Sequence, residues 1–214
     1  MSIKIKKIEE EVWFEISNHD KLRPFFMSIV SDTNLWMFIS SNGGLTAGRK
    51  NSEHALFPYY SDDKITELAA TTGSKTLFRI VGEDKTWEPF TELSSALFKV
   101  SRNLYKSRYG NKIRFEEVNH DLNLTFWYDW APSSKYGFVR NAAVINHGSE
   151  KVSLQVLDGI QNIMPAGVNP DLQIRQSNLV DAYKRSEILK ESGLGIYALS
   201  AIIVDRAEQI GRAS

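Results

Sequence analysis

Residues 112–146 read KIRFEEVNHDLNLTFWYDWAPSSKYGFVRNAAVIN, and this stretch packs three alternating segments between turn signals. In a β-strand successive side chains point to opposite faces, so an apolar residue at every second position marks a strand with one face in the core. Lys112–Val118, Leu122–Trp130 and Gly137–Asn146 each carry that pattern. They are separated by Asn119-His120-Asp121 and Ala131-Pro132-Ser133-Ser134, and followed by Asn146-His147-Gly148-Ser149. Asn, Asp, Gly and Pro relieve the backbone strain of reversing direction, so the segments describe an antiparallel meander. Alternation sends Tyr128 and Trp130 to one face and Trp127 to the other, which puts at least one large ring in the core.

Outward from the meander the same signature recurs. Val12, Phe14 and Ile16 alternate with polar residues, while Phe25–Val30 and Leu35–Ile39 are denser apolar runs typical of strands covered on both faces. Thr76–Val81, Ala96–Leu104, Lys151–Asp158 and Leu194–Val204 are further strands by this reading. Two stretches have helical spacing, Asp62–Ala70 and Asn178–Lys190. The expectation is an all-β protein, a large antiparallel β-sandwich with one or two short helices, in which residues 1–214 form one domain.

Composition narrows the function classes. Lys plus Arg and Asp plus Glu are each 26, so no net field draws the chain toward nucleic acid or an anionic membrane. There is no cysteine, which excludes disulfides, thiolate catalysis and Cys-zinc sites. Residues 1–11 lack the apolar run of a secretory signal, and no later stretch has the length and hydropathy of a bilayer span, so a cytoplasmic location is expected. The histidines of Asn18-His19, Asn119-His120 and Asn146-His147 sit in turns without metal-ligand spacing, so neither a metal nor a cofactor is expected. No motif singles out a pair of carboxylates, and no Gly-x-Ser-x-Gly elbow occurs, so no catalytic residue is nominated.

The segment SNGGLTAGRKNSEHALFPYY, Ser41–Tyr60, is the most informative for binding. Read as one long irregular loop, it combines Arg49, Asn51, Glu53 and His54 with the aromatic residues Phe57, Tyr59 and Tyr60. Sugars match this mixture, because their hydroxyls hydrogen-bond to Asn, Arg, Glu and His while their C–H faces lie against rings. Its glycines do not have the spacing of a phosphate loop. Trp87, in the turn-rich Gly82–Phe90 segment, is a second aromatic candidate, to be weighed against a ring folded over the core.

Asn42-Gly43-Gly44 through Arg49-Lys50-Asn51-Ser52-Glu53, then Trp87-Glu88-Pro89, then Val144-Ile145-Asn146-His147-Gly148-Ser149-Glu150 together resemble the N-terminal domain of cellobiose phosphorylase-like enzymes over about Val12 to Val204. The resemblance implies a supersandwich of galactose mutarotase-like shape that precedes a helical linker and a catalytic (α/α)6 barrel acting on β-glucosides. It also implies that the general acid and phosphate ligands belong to the barrel, and that Arg49, Asn51 and Trp87 lie on loops approaching the active-site region. The function expected is a non-catalytic domain that binds or positions carbohydrate, with the barrel as its partner and a homodimer as a further possibility. The alternatives are a stand-alone carbohydrate-binding module, a mutarotase-type sugar epimerase, and a purely structural contact role.

Overall fold

The computed structural model describes residues 3–58 and 61–201. Its strands are β1 (Ile3–Ile8), β2 (Glu11–Ser17), β3 (Phe26–Ile29), β4 (Leu35–Ser40), β5 (Leu45–Arg49), β6 (Gly73–Ile80), β7 (Lys85–Trp87), β8 (Val100–Ser107), β9 (Ile113–Asn119), β10 (Leu124–Ser133), β11 (Gly137–Asn146), β12 (Leu154–Gln161), β13 (Lys184–Leu189) and β14 (Leu194–Leu199). Short helices α1 (Asp62–Glu67), α2 (Glu92–Leu97), α3 (Pro170–Arg175) and α4 (Ser177–Tyr183) interrupt them, with 3-10 turns at His19–Lys21 and Ser52–His54. The all-β antiparallel sandwich is therefore the observed class.

One layer is a six-stranded sheet in the order β1-β2-β8-β9-β10-β11. Against it pack two three-stranded sheets, β3-β4-β5 and β12-β6-β7, while β13 and β14 form a separate hairpin that packs through Leu199 on a second cluster of Ala55, Met164, Val168 and Val180. The β9-β10-β11 meander pairs as its alternation dictates, with β10 and β11 in register from Leu124↔Asn146 to Ser133↔Gly137. Ile113, Phe115, Leu124, Phe126, Tyr128 and Trp130 face inward and meet Met37, Ile39, Leu45, Phe78 and Trp87 from the opposing sheets. Each fully buried large apolar side chain contributes about 1.5–3 kcal/mol, so this contact dominates the stability of the sandwich. Rings interlock at its centre, Phe78 with Trp87 at 5.1 Å and Phe115 with Tyr128 at 5.1 Å between centroids. Trp127 lies on the outer face, where the Arg114 guanidinium sits 3.8 Å from its ring centroid and bonds Asp129 at 2.7 Å.

A charged tie joins the layers. Arg140 of β11 donates to both oxygens of Asp158 on β12, at 2.7 and 2.9 Å, and to Ser74 Oγ on β6. Burial alone would push the Asp158 carboxyl up, but the hydrogen bonds from Arg140 and Thr76 outweigh it and hold it below its usual range.

Local sequence pattern misplaces three boundaries. The expected Ala96–Leu104 strand begins inside α2, which Thr91 caps by accepting the Ser94 amide, and β8 starts at Val100. The expected Asn178–Lys190 helix stops at Tyr183, and Lys184–Leu189 becomes β13 because it pairs fully with β14. Ser41–Tyr60 is not one irregular loop, since Leu45–Arg49 forms a strand paired to β4. The last part of the Leu194–Val204 prediction, past residue 201, lies outside the described residues.

Candidate functional site

The β4-β5 hairpin positions two cavities, one at each end. At its turn, the Ser40 amide donates to the Gly44 carbonyl at 2.7 Å and the Gly43 amide to the Ser40 carbonyl at 2.9 Å. Gly43 has φ +92°, a conformation that glycine adopts without a Cβ penalty. Asn42 Nδ2 donates to the Thr66 carbonyl at 2.9 Å and fixes this turn to α1. The opposite end runs from Arg49 into the 3-10 turn Ser52–His54, which folds back as the Leu56 amide donates to the Ala47 carbonyl at 2.7 Å. Gly48 is required there by space, because a Cβ would run into the Trp36 ring and the His54 carbonyl.

Beside Arg49 lies a rim pocket of about 320 Å³, within the range of small-ligand sites. Its walls are largely apolar, with Met37, Phe57, Trp130, Phe138 and Ile163 among the lining residues. Tyr136 is 71% exposed at the same pocket. Arg49 and His54 line it and are exposed, while Asn51 Oδ1 lies 2.7 Å from His54 Nδ1. An amide oxygen only accepts, so Nδ1 is the donor in this contact. Arg49, Asn51 and His54 are thus brought together.

The other site expectations divide. Glu53 is exposed on the 3-10 turn and does not line the pocket. Tyr59 and Tyr60 lie outside the described residues. Trp87 is corrected: it is fully buried between Phe78 and the polar group of Glu117, and offers no face for stacking. Tyr136 and Phe138 enter the site without having been singled out, because the β10-β11 reversal brings them to the hairpin end from far along the chain.

At the turn end of the hairpin is a larger polar groove of about 630 Å³. Glu117, fully buried on β9, holds one of its walls. Glu117 Oε1 accepts from Trp87 Nε1 at 2.7 Å and Ser94 Oγ at 2.6 Å, and Oε2 accepts from the Phe90 amide and Arg102 Nε, both at 2.7 Å. Arg102 Nη2 then donates to the Thr91 carbonyl at 2.6 Å. Four donors, one of them the buried cation Arg102, satisfy the carboxylate, and they pin the segment from β7 to α2 against the six-stranded sheet. Phe90 is held at φ +68°, unusual for an aromatic residue, by this same amide bond. The sequence did hold a signal for Glu117, since it occupies a core-facing position in line with Ile113 and Phe115.

His19 also lines the groove, 5% exposed, with its ring edge toward Phe115 at 6.0 Å between centroids. Burial, reinforced by the Arg102 charge and only partly opposed by Asp20, lowers its pKa to about 4, so the ring is neutral at pH 7. Its Nε2 has no hydrogen-bond partner among the described residues. Burial likewise drives the Tyr128 hydroxyl pKa up, so it stays protonated in the groove wall.

Among the described residues no group of three His, Asp or Glu side chains is arranged to hold a metal ion, and no helix is long and apolar enough to cross a membrane. Comparison with protein-family models gave no match, and comparison with curated proteins gave none either.

Proposed function

We propose that this sandwich is a non-catalytic domain that binds or positions carbohydrate for a larger enzyme of the glycoside phosphorylase or glycosidase type. The observation that carries the reading is the rim pocket, in which the Arg49 and His54 side chains meet an apolar wall and the exposed ring of Tyr136. Sugar recognition uses this pairing of directional polar groups with a ring against the C–H face. Arg49 has no ion-pair or hydrogen-bond partner for its side chain among the described residues, so its donors are available to a ligand.

The larger-enzyme part of the reading draws support from exposed apolar side chains on β12, β13 and β14. Leu157 on β12 is 67% exposed and Ile188 on β13 is 73% exposed, with Val156, Leu194 and Ile196 also open. Exposed large apolar residues of this kind suit a surface that a further domain covers, such as an (α/α)6 barrel.

Isothermal calorimetry with cellobiose tests the binding claim. Saturable heat is expected, reduced at least tenfold in affinity by Tyr136→Ala and by Arg49→Ala with the fold retained. Absence of heat with cellobiose, glucose and a panel of β-glucosides would overturn it.

A further inference from the structure

The polar groove at the turn end of the β4-β5 hairpin shares no lining residue with the rim pocket. It lies between the two layers of the sandwich, bounded by the hairpin turn, α1, the segment from β7 to α2, and the His19 turn. Its size, about 630 Å³, accommodates a ligand larger than a single solvent molecule.

The chemistry of the walls restricts the ligand. Lys75 is ion-paired with Glu88, and Arg102 is committed to Glu117 and the Thr91 carbonyl. Neither cation is left over for an anionic guest. Glu67 is paired with Lys64 at 2.9 Å, whereas Asp20 and Glu92 have no ion-pair partner among the described residues, so the excess charge at the groove is negative. A phosphate or carboxylate group entering here would meet repulsion without a donor fork to offset it.

Uncharged donors and acceptors remain. Ser41 Oγ accepts the Phe25 amide and keeps its own proton to give, and the protonated Tyr128 hydroxyl, already hydrogen-bonded to Ser74, stands in the wall with capacity for a second bond. The unmet hydrogen-bonding capacity belongs to His19, which lines the groove, whose ring is neutral and whose buried Nε2 has no partner among the described residues. Such an atom is costly to leave bare and gains most from a partner brought into the groove. Phe90, partly exposed, adds an apolar face beside these groups.

We propose that this groove is a second ligand site, separate from the rim pocket, that takes an uncharged, hydroxyl-rich molecule and engages it through His19, Ser41 and Tyr128 over the ring of Phe90. The proposal stands apart from the reading of the rim pocket and does not require it.

The test follows the His19 ring in the full chain labelled with ¹⁵N-histidine. Glucose, the uncharged probe, and glucose 6-phosphate, its anionic counterpart, are titrated separately at pH 7, and the His19 ring nitrogens are read by NMR. A saturable shift of the His19 signals with glucose is expected, with glucose 6-phosphate binding at least tenfold more weakly. His19→Phe, read by the amide signals of Phe90 and Ser41, is expected to weaken glucose at least tenfold. Unmoved His19 signals up to saturating glucose would overturn the proposal, as would equal or tighter binding of glucose 6-phosphate. Because no lining residue is shared, these signals report the groove alone, whatever happens at the rim pocket.

Discussion

The two ends of one hairpin are built by opposite physics. At the Arg49 end, apolar walls surround an open pocket and the polar groups stand in solvent, His54 bonded only to the nearby Asn51 among the described residues. At the Asn42 end, charged groups are mostly committed to each other, the buried Arg102 to Glu117 and the partly exposed Lys75 to Glu88. In the pocket, polar residues have little to do with holding the fold. In the groove they are the fold: removing the Glu117 carboxylate releases Trp87, Phe90, Ser94 and Arg102 together. A residue's chemistry therefore says less about its role than whether neighbours have already claimed its hydrogen bonds.

The sharpest way to break this contrast is Glu117→Ala. It leaves Arg102 buried without its counter-charge and strips acceptors from Trp87 Nε1 and the Phe90 amide, so a loss of about 3–5 kcal/mol is expected in urea unfolding. A loss below about 1 kcal/mol would mean that the carboxylate does not hold the groove wall.

Acid pH probes the same end. His19 has a folded pKa of about 4 against an ordinary value of 6.5, so between these values the unfolded chain binds more protons than the folded one. Stability then falls as pH drops from 6.5 toward 4, by about 3 kcal/mol for this group, and is unaffected by it above 6.5. His19→Phe should flatten that part of the profile relative to the unmutated chain. Parallel profiles would refute a neutral buried His19.

Gly48→Ala tests how the hairpin carries the rim pocket. The added methyl must displace the Trp36 ring or the His54 carbonyl, for an expected loss of about 1–3 kcal/mol and a displaced Ser52–His54 turn, seen as shifted Asn51 and His54 amide signals. Smallest is Tyr136→Ala, where the exposed ring should change stability by no more than about 0.5 kcal/mol while ligand affinity falls. A large stability loss would make Tyr136 a packing residue and remove the contrast.

The alternation of Ile113, Phe115, Leu124, Phe126, Tyr128 and Trp130, together with its turn residues, made the antiparallel meander and its core face legible. Arg49, Asn51 and His54 were legible as a group because the hairpin end keeps near neighbours together. Tyr136, Phe138 and His19 were not, since each reaches its cavity through strand pairings remote in sequence. Trp87 was ambiguous by itself, because a tryptophan in a turn-rich segment has the same local signature whether its ring faces water or the core.

By itself, then, the sequence determined the period-two patterning, the turns and the absence of cysteine chemistry, all properties of local residue type and spacing. Tertiary structure alone decided that Ser41–Tyr60 contains a strand, that residues 184–189 leave the helix, and that Trp87 is buried over Glu117. Those outcomes depend on which distant hydrogen-bonding groups and apolar faces are available as partners, and a buried polar group must be satisfied wherever in the chain its partner lies.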